Sequence, residues 1–424
     1  MNSDELREKF WKDDQENGGY IFQQYQDIKN VLSSSHPESE AFKRFLEIKE
    51  YAIHHTDYYK NFKVDDEFPV VDKIHLTKFQ ESHKSNGDFL TPTHISSTSG
   101  STGTPFSVIQ DFVKRKRNIA DLKVFGELCN YPSHERMVFL RVLSAKLHRT
   151  KQQEESENIF YVDSSDLSPN RLNAIIEIIL EKKPRILFSY SSTLVELAKH
   201  IKNTNQLFNF SMTSILTGGE GISEENRLLL QEVFKCTVYR RYSDMELGIL
   251  AQDTGDGGCY YLNWGSYYFE VLKTDCDKKA DIDEVGRIVI TDLFNKAFPM
   301  IRYDTGDLGV LGKDRNGVTV LKEIYGRKRD CIYATDGRLI SPAKIFVSMW
   351  GAKNINQWQF IQNAKTDYTL KINCIKKINE NELIEKLKTV VGENAKINLE
   401  YVDEVPVTQS NKRRAVICNY EAAI

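Results

Sequence analysis

The chain has 424 residues, and its 57 lysines and arginines against 60 aspartates and glutamates give a formal net charge of −3. This balance excludes the basic excess that is typical of nucleic-acid-binding proteins. Hydrophobic residues make up 40% of the sequence and aromatic residues 11%, which is enough for a large core and excludes global disorder. We therefore expect a globular protein with two or three domains.

The cysteine pattern and the hydropathy restrict the cellular context. The seven cysteines are scattered, without a Cys-x-x-Cys pair or the Cys/His spacing of a zinc site. The N-terminal residues are too charged for a signal peptide, and no apolar run approaches the roughly 18 residues of a membrane span. We expect a cytoplasmic protein, a monomer or homodimer, that contacts neither nucleic acid nor the membrane interior.

Strand and helix patterns alternate along most of the chain. Residues 1–60 are predicted to be helical and peripheral. The predicted strands that follow are residues 137–141, 186–190, 214–217, 237–240 and 287–291. The predicted helices are residues 112–129, 171–181, 193–202 and 224–234. This alternation predicts an α/β fold with mixed or parallel sheets flanked by helices.

A smaller pattern begins after about residue 328. It consists of a predicted strand at 369–374, a helix at 380–391 and a strand at 397–401. We predict a large domain at residues 1–327 and a small, mobile α+β cap domain at residues 328–424. Two polar insertions, 145–158 and 273–284, are predicted to be surface loops. Asn316-Gly317 predicts a hairpin turn.

Residues 96–105 carry the clearest functional pattern, Ser-Ser-Thr-Ser-Gly-Ser-Thr-Gly-Thr-Pro. Glycines at 100 and 103 let backbone N–H groups approach an anion closely, and the surrounding hydroxyls can contact phosphate oxygens. The spacing of a Walker loop is absent. A flexible Ser/Gly linker is the alternative interpretation.

Four further segments follow this loop in order: residues 242–246, 299–309, 326–330 and 406–414. Each has an ordinary interpretation when taken alone. Glu246 is typical of a helix N-terminus, Asp307 of a turn, and Arg327 and Lys412 of a solvated surface. All five segments in one order are much harder to explain by chance.

The ordered set resembles the adenylate-forming superfamily, and specifically its phenylacetate–coenzyme A ligase family, over nearly the whole chain. Weaker family-like segments lie at residues 68–73, 189–192 and 217–220. Residues 298–309 are most similar to the branch found with capsular-polysaccharide genes. The resemblance implies Mg²⁺-dependent activation of a small carboxylic acid by ATP, with release of pyrophosphate, and then transfer to coenzyme A.

The resemblance also implies residue roles. The β- and γ-phosphates of ATP would be held by Ser99, Gly100, Ser101, Thr102 and Gly103. Besides Thr102, the implied catalytic residues are Glu246, which would help to coordinate Mg²⁺, and Lys412, which would bridge the carboxylate and the α-phosphate. Asp307 would accept hydrogen bonds from the ribose hydroxyls, and Arg327 would support the ribose or a phosphate.

The remaining implied roles concern the pocket for adenine and the acyl group. Tyr242 would stack on or near the adenine, and Ser243 would form part of the wall. The pocket lining implied by the resemblance is Gly218, Gly219 and Glu220. Arg329 stands at the implied hinge between the domains.

This sequence departs from the family pattern at several positions. Thr104 stands where the wider superfamily often has a lysine after the last glycine of the loop, so triphosphate binding would depend more on Lys412 and Mg²⁺. Ser243 replaces a glycine, Met245 replaces a hydroxyl residue, and Asn411 replaces the glycine before the catalytic lysine. These departures remove no group that adenylation requires, but they leave the acyl acceptor open.

Two other features of the sequence are interpreted as structural rather than functional. The charge run at residues 114–117 is predicted to be a solvated helix face rather than a contact for the phosphates of coenzyme A. Cys259 has no histidine nearby, and we predict that it is structural and that there is no zinc site.

Three hypotheses for the function follow. The first is an acid–coenzyme A ligase, and the second is an adenylating ligase that passes the acyl or adenylyl group to an amine or hydroxyl. The third is a nucleotide-binding module without catalysis. Glu246, Asp307 and Lys412 together argue against the third, because mere nucleotide binding would not need the late lysine.

Overall fold

The structure of the chain is a computed structural model. It describes residues 1–98, 106–143, 149–204, 206, 208, 210–327, 332–340, 345, 348–349, 354–374, 376, 378–406 and 414–420, with the backbone alone at Thr98, Arg327 and Leu339. The chain divides into two compact units, Met1–Thr305 with Val310–Glu323 and Gly306–Gly309 with Ile324–Ile424. The predicted domain boundary at residues 327 and 328 stays a prediction, because residues 328–331 lie outside the description.

Helices account for much of the first unit. They are α1 (Ser3–Glu16), α2 (Tyr20–Leu32), α3 (Pro37–His55), α4 (Lys73–Lys78), α5 (Gln80–His83), α6 (Phe112–Glu127), α7 (Lys151–Glu157), α8 (Pro169–Lys182), α9 (Ser191–Thr204) and α10 (Glu224–Phe234). Among the described residues, no helix has the length and apolar character that crossing a membrane requires.

The strands up to residue 327 form a hairpin and one large sheet. They are β1 (His94–Thr98), β2 (Phe106–Gln110), β3 (Met137–Arg141), β4 (Ile159–Asp163), β5 (Ile186–Ser189), β6 (Ser214–Gly218), β7 (Thr237–Asp244), β8 (Gly248–Asp253), β9 (Tyr260–Leu262), β10 (Tyr267–Leu272), β11 (Val285–Asp292), β12 (Tyr303–Lys313) and β13 (Thr319–Arg327). The large sheet has the order β10-β11-β12-β13-β9-β8-β7-β6-β5-β3-β4.

One half of this sheet is parallel. Strands β3 to β7 pair in parallel in the spatial order β4-β3-β5-β6-β7, so the order reverses between β3 and β5. Helices α8, α9 and α10 bury one apolar stripe each against this half, around residues such as Ile175, Leu197 and Leu230. Each helix has few polar residues on that stripe, which is why it packs on a sheet. The predicted α/β fold with a mixed sheet is confirmed.

The N-terminal helices are helical as predicted and pack on α6. Ile21, Tyr25 and Ile28 of α2 form a cluster with Val124 and Phe125 of α6. Aromatic and aliphatic side chains at helical spacing give α2 its apolar face. These helices therefore lie beside the first unit's central elements and contribute to its core.

The second unit contains a smaller α+β arrangement. Its elements are β14 (Ile332–Tyr333), β15 (Leu339–Ile340), β16 (Ile355–Gln362), β17 (Asp367–Cys374), α11 (Glu380–Val391), β18 (Lys396–Tyr401) and β19 (Val416–Cys418). Four strands form a sheet in the order β18-β17-β16-β19. Strands β17 and β18 are parallel and are joined through α11, so the predicted βαβ unit is present.

One predicted loop contains a helix. Residues 145–158 were expected to be a surface loop, yet Lys151–Glu157 forms α7. Thr150 accepts a hydrogen bond from the backbone of Gln153, whose side chain bonds back to Thr150, and this capping box starts the helix. The segment still lies at the surface as predicted, because no residue of α7 is buried.

Candidate active site

Several predicted site residues lie where the parallel strands of the first unit end. Ligands of open α/β sheets bind outside the carboxyl ends of the strands. Strand β6 ends at Gly218, which pairs with Arg241 of β7. A Cβ at Gly218 would lie 3.2 Å from the ring of Phe188, and Gly219 has a left-handed φ of 73°. The two glycines therefore allow a tight turn after β6 with little room for a side chain.

Glu220 is held in this turn by hydrogen bonds from the next crossover. Its Oε2 accepts from Ser192 N at 3.1 Å and from Ser191 Oγ at 3.3 Å. Its Oε1 is buried and has no hydrogen-bond partner among the described residues. Nearby, burial raises the pKa of Tyr190, while the charge of Arg141 lowers it and that of Glu220 raises it. A buried carboxylate oxygen without a partner is an acceptor that a ligand can satisfy.

Tyr242 and Ser243 lie at the end of β7. The pairing of β7 with β8 is irregular between these two residues, which is a β-bulge. Tyr242 is half-buried, and its hydroxyl donates to Thr305 Oγ1 at 3.3 Å. Thr305 Oγ1 in turn donates to the carbonyl oxygen of Ile288 at 3.0 Å. These bonds fix the hydroxyl end of the Tyr242 ring against β11 and β12.

Glu246 lies in the turn between β7 and β8, so the interpretation as a helix N-terminus is wrong. Asp244 Oδ1 accepts from Leu247 N at 2.7 Å, and Gly248 follows with φ of 123°. Glu246 is buried, with 8% of its surface exposed, and its Oε1 lies 3.2 Å from Lys73 Nζ. Burying a charged group costs free energy unless it is paired, and the ammonium group of Lys73 provides this pairing for Glu246.

The hairpin that carries the loop touches this turn twice. Gln110 Nε2 donates to the carbonyl oxygen of Glu246 at 3.1 Å, and Ser96 Oγ donates to that of Met245 at 2.7 Å. Thr98 pairs with Phe106 across the hairpin, so residues 99–105 connect the ends of β1 and β2. The structure thus brings Ser96, the first residue of the predicted phosphate loop, and Gln110, at the end of β2 remote from the loop, next to the turn of Glu246.

The charge run on α6 differs from its prediction. Lys114 and Arg117 are fully buried, whereas Arg115 is exposed. Lys114 Nζ lies 2.8 Å from Asp292 Oδ2 and donates to the hydroxyl of Tyr267 at 3.0 Å. The predicted solvated face is wrong for these two cations, because carboxylates from distant segments compensate their charges inside the protein.

This buried network also supports the turn. The Tyr267 hydroxyl donates to the carbonyl oxygen of Leu247 at 2.6 Å, next to Glu246. Sequence analysis missed the contributions of Lys73, Gln110 and Lys114 to the site. Lys73 does stand in one of the family-like segments, but no pattern marks it as a neighbour of Glu246.

Other predicted residues stay predictions. Residues Ser99, Gly100, Ser101, Thr102, Gly103 and Lys412 lie outside the described residues, as does the side chain of Arg327. Asp307 is half-buried on β12 and belongs, with Arg327, to the second unit. Among the predicted site residues, the structure places Gly218, Gly219 and Glu220 after β6, Tyr242 and Ser243 on the adjacent strand β7, and Glu246 in the turn that follows β7, all in the first unit.

The described residues fit a magnesium site in which phosphate oxygens of the nucleotide would supply several of the ligands. Mg²⁺ prefers oxygen ligands and is usually held by one or two carboxylates together with phosphate oxygens and water. In the described part of the chain, no group of three or more His, Cys, Asp or Glu side chains could hold a metal ion. Glu246 would thus be a single protein ligand, with the remaining ligands coming from the nucleotide.

Comparison of sequences supports the capsular branch. The family model of the CapK C-terminal domain matches residues 332–419. Protein CapK of Staphylococcus aureus is 21% identical over 339 residues, which cover 76% of this chain and 73% of that protein.

Comparison with solved structures concerns the fold. A 2-hydroxyisobutyryl-CoA ligase in its postadenylation state, in complex with R3-HIB-AMP, matches with a TM-score of 0.69 at 17% identity, over 91% of this chain and 90% of that one. The amide bond synthetase McbA from Marinactinospora thermotolerans matches with a TM-score of 0.56 at 15% identity, over 75% and 67% of the two chains. The chain therefore has the fold of the adenylate-forming ligases and resembles their capsular-polysaccharide-associated branch, as its sequence predicts.

Proposed function

We propose that the protein activates a small carboxylic acid with Mg²⁺-ATP as an acyl-adenylate and then transfers the acyl group to coenzyme A. The observation that carries this proposal is the contact between the loop-bearing hairpin and the turn of Glu246, through Gln110 and Ser96. A phosphate-binding loop and a carboxylate for Mg²⁺ must lie side by side to act on one nucleotide. The fold and the likeness to CapK support the same reaction class.

The first half-reaction joins the acid to the nucleotide. A carboxylate oxygen attacks the α-phosphorus, the bond to the bridging oxygen of the β-phosphate breaks, and pyrophosphate leaves. Residues 99–103 hold the outer phosphates, and Lys412 reduces the repulsion between the carboxylate and the α-phosphate. Mg²⁺, when bound by Glu246, would neutralise charge on the phosphate oxygens. Thr102 contributes a hydroxyl to the same group of contacts.

The nucleoside is held by residues at the strand ends. Tyr242, with its hydroxyl fixed by Thr305, offers a ring face to the adenine. Asp307 accepts from the ribose hydroxyls and Arg327 supports them. Gly218 and Gly219 form the tight turn after β6, and the buried Oε1 of Glu220 can accept a hydrogen bond from an amino or hydroxyl group of the ligand.

In the second half-reaction the thiol sulfur of coenzyme A attacks the acyl carbon. The bond between this carbon and the phosphate oxygen breaks, AMP leaves, and the thiol proton passes to solvent. A second candidate passes the acyl or adenylyl group to an amine or hydroxyl instead. The likeness to the amide bond synthetase McbA and to CapK favours keeping this candidate, with an acceptor in polysaccharide biosynthesis.

One assay separates these possibilities. The release of AMP and of pyrophosphate is measured with a panel of carboxylic acids, each with and without coenzyme A, and each with and without amine or hydroxyl acceptors. Acid-dependent AMP release that coenzyme A accelerates supports the ligase. AMP release that does not depend on coenzyme A but requires an amine or hydroxyl acceptor supports transfer of the acyl group to that acceptor, as in the second candidate. Pyrophosphate release without AMP release indicates that the adenylyl group is transferred to the acceptor, since AMP then stays bonded to it. No acid-dependent release of pyrophosphate with any member of the panel contradicts both candidates.

A further inference from the structure

A cavity of about 320 Å³ lies where parallel strands of the large sheet begin. Three of the residues that line it carry a positive charge: Arg136, Lys183 and Arg185. Three others carry a hydroxyl group: Ser3, Ser211 and Thr213. All of them belong to the first unit. The cavity therefore combines positive charge with hydrogen-bonding groups in one place.

This cavity is separate from the candidate active-site residues of the first unit. Strand β6 begins directly after Thr213, which lines the cavity, and ends at Gly218, which belongs to the candidate active site. Five residues of strand separate the two positions, or about 15 Å at 3.3 Å per residue. The cavity thus lies at the amino ends of the strands, whereas the candidate active site lies at their carboxyl ends.

The strand register places the polar residues of the cavity side by side. Arg136, Arg185 and Thr213 directly precede β3, β5 and β6, which are neighbours in the order β6-β5-β3. Arg185 N donates to the carbonyl oxygen of Arg136 at 2.8 Å, and Thr213 N donates to that of Arg185 at 2.8 Å. The two arginines therefore start from adjacent positions of a hydrogen-bonded backbone.

Each arginine is anchored by one side-chain hydrogen bond to a backbone carbonyl oxygen. Arg136 Nη1 donates to Lys182 O at 2.8 Å, and Arg185 Nε donates to Asn130 O at 3.1 Å. An arginine side chain has five N–H groups, so most donors of each one have no partner in the described part of the chain. Binding to a carbonyl explains one donor of each arginine, but not two neighbouring positive charges.

The positive charge of the cavity is not balanced by carboxylates. Arg136, Lys183 and Arg185 form no ion pair with any residue that the structure describes. Glu135 also lines the cavity, but its Oε1 lies 3.3 Å from Arg7 Nη2, which compensates its charge. Two adjacent guanidinium groups and an ammonium group without an anion repel one another, and a bound anion would relieve this repulsion.

These groups suit the phosphate group of a small polar molecule. A phosphomonoester carries a charge of about −1.5 to −2 at pH 7, so it compensates several cations better than one carboxylate does. Planar guanidinium groups donate in pairs to phosphate oxygens. The volume of the cavity is at the lower end of the roughly 300–1,000 Å³ of small-molecule sites. The lining hydroxyl groups can bind the polar remainder of such a molecule.

We propose that this cavity is a binding site for a small polar phosphomonoester, such as a phosphorylated sugar. Arg136 and Arg185 donate to the phosphate oxygens, and Lys183, which is exposed, adds positive charge at the rim. Free phosphate is another source of the same chemistry, and the experiment separates the two. The inference does not depend on the proposed function, because it uses no residue of the candidate active site.

The test measures the binding of four compounds to the full chain by calorimetry: glucose 6-phosphate, glycerol 3-phosphate, inorganic phosphate and glucose. Arg136→Gln and Arg185→Gln each remove a guanidinium group. Lys183→Gln removes the ammonium group, which has no hydrogen bond in the described structure. Thermal melting curves identify any variant that fails to fold.

Lys235→Gln is the matched control for Lys183→Gln. Lys183 ends α8 with a left-handed φ of 45°, and Lys235 ends α10 in the same way with φ of 54°. Both residues are exposed, and only Lys183 is among the residues that line the cavity. If the two arginine variants do not fold, the comparison of these two lysine variants decides the outcome.

We expect at least one phosphomonoester to bind more tightly than inorganic phosphate, and glucose not to bind. Arg136→Gln and Arg185→Gln should each weaken the binding of this ester about 10- to 100-fold, the effect of a charge-assisted hydrogen bond. Lys183→Gln should weaken it about 2- to 5-fold, because an exposed charge is largely screened. Lys235→Gln should bind like the parent.

Three results would overturn the inference. The first is a folded parent that binds none of the three phosphate compounds. The second is binding that none of the cavity variants weakens, or that Lys235→Gln weakens as much as Lys183→Gln does. The third is inorganic phosphate that binds as tightly as both esters, because the site would then take the free ion rather than a phosphomonoester.

Discussion

Gln110 Nε2 donates a hydrogen bond of 3.1 Å to the carbonyl oxygen of Glu246. Both residues are buried, with 2% and 8% of their surfaces exposed. Gln110 is the last residue of β2, the strand that leaves the Ser/Gly-rich loop. Strand β2, which follows the loop, therefore also fixes the backbone of Glu246, the residue to which we assign Mg²⁺. A change in the position of β2 would alter the position of Glu246.

Glu246→Gln tests the metal assignment. The amide keeps the shape of the side chain but loses the charge that attracts Mg²⁺ and Lys73. We expect the rate of acid-dependent pyrophosphate exchange to fall about 10²- to 10³-fold, which corresponds to about 3–4 kcal/mol in the transition state. A titration of the rate with Mg²⁺ should also shift to higher concentrations.

Glu225→Gln is the matched control for this prediction, because Glu225 is an exposed glutamate on α10. Its exchange rate and Mg²⁺ titration should equal those of the parent. A Glu246→Gln variant with the parent's Mg²⁺ titration and turnover would show that Glu246 does not bind the metal.

Lys114→Met tests the buried network behind the same turn. Lys114 and Asp292 lie 2.8 Å apart with 0% and 1% of their side chains exposed. Removing the cation leaves a buried carboxylate without compensation, so we expect the free energy of unfolding to fall by about 3–5 kcal/mol. Urea denaturation measures this, with the exposed Arg115→Met expected to change stability by less than about 0.5 kcal/mol. Equal effects of the two substitutions would contradict the structural role of Lys114.

His83 predicts a pH dependence of stability. Burial, with a smaller contribution from His75, lowers the pKa of His83 from 6.5 to about 4. Between these values the unfolded chain binds a proton that the folded chain does not, so the free energy of unfolding falls as the pH falls from 6.5 to about 4. At about 1.36 kcal/mol per pKa unit, His83 contributes about 3 kcal/mol to this fall.

His83→Phe should remove most of this contribution. Both ring nitrogens of His83 lack hydrogen-bond partners among the described residues, and the ring stacks on Tyr58 at 4.0 Å, so phenylalanine fits the site chemically. We expect unchanged or higher stability at pH 7 and a flatter decline between pH 6.5 and 4 in urea denaturation. His36→Phe, at an exposed position, should keep the parent's slope. If His83→Phe also keeps it, His83 is not the titrating group.

Lys412→Ala separates the two half-reactions. The proposed role of Lys412 lies in adenylation, where its charge bridges the acid and the α-phosphate. We expect the variant to lose pyrophosphate exchange and to retain most of the acyl transfer from a supplied acyl-adenylate to coenzyme A. The transfer rate in the same preparation is the internal control for folding. Equal loss of both reactions would contradict this role.

Local sequence patterns predicted much of the fold. The helices Glu224–Phe234 and Glu380–Val391 have the predicted bounds, because a cap starts each one: Ser223 accepts from Asn226 N and Asn379 from Glu382 N. Asn316-Gly317 forms the predicted turn between β12 and β13, with a left-handed φ of 80° at Gly317. These features depend on a few neighbouring residues.

Contacts between distant segments were not predictable in the same way. Lys73 and Glu246 are separated by 173 residues, and neither segment contains a sequence pattern that indicates a contact with the other. Lys114 of α6 looked like part of a solvated face because its partner Asp292 lies on β11, far away along the chain. The position of a charge inside or outside the protein depends on tertiary pairing, which periodicity does not contain.

The central claim is that the protein adenylates a carboxylic acid. It is tested most directly by acid-dependent exchange of labelled pyrophosphate into ATP, with a panel of small carboxylic acids, Mg²⁺ and no coenzyme A. The account predicts exchange with at least one acid, none without Mg²⁺, and loss of the exchange in Lys412→Ala. Nucleotide binding by the folded protein without exchange for any acid in the panel would contradict it and favour a binding module without catalysis.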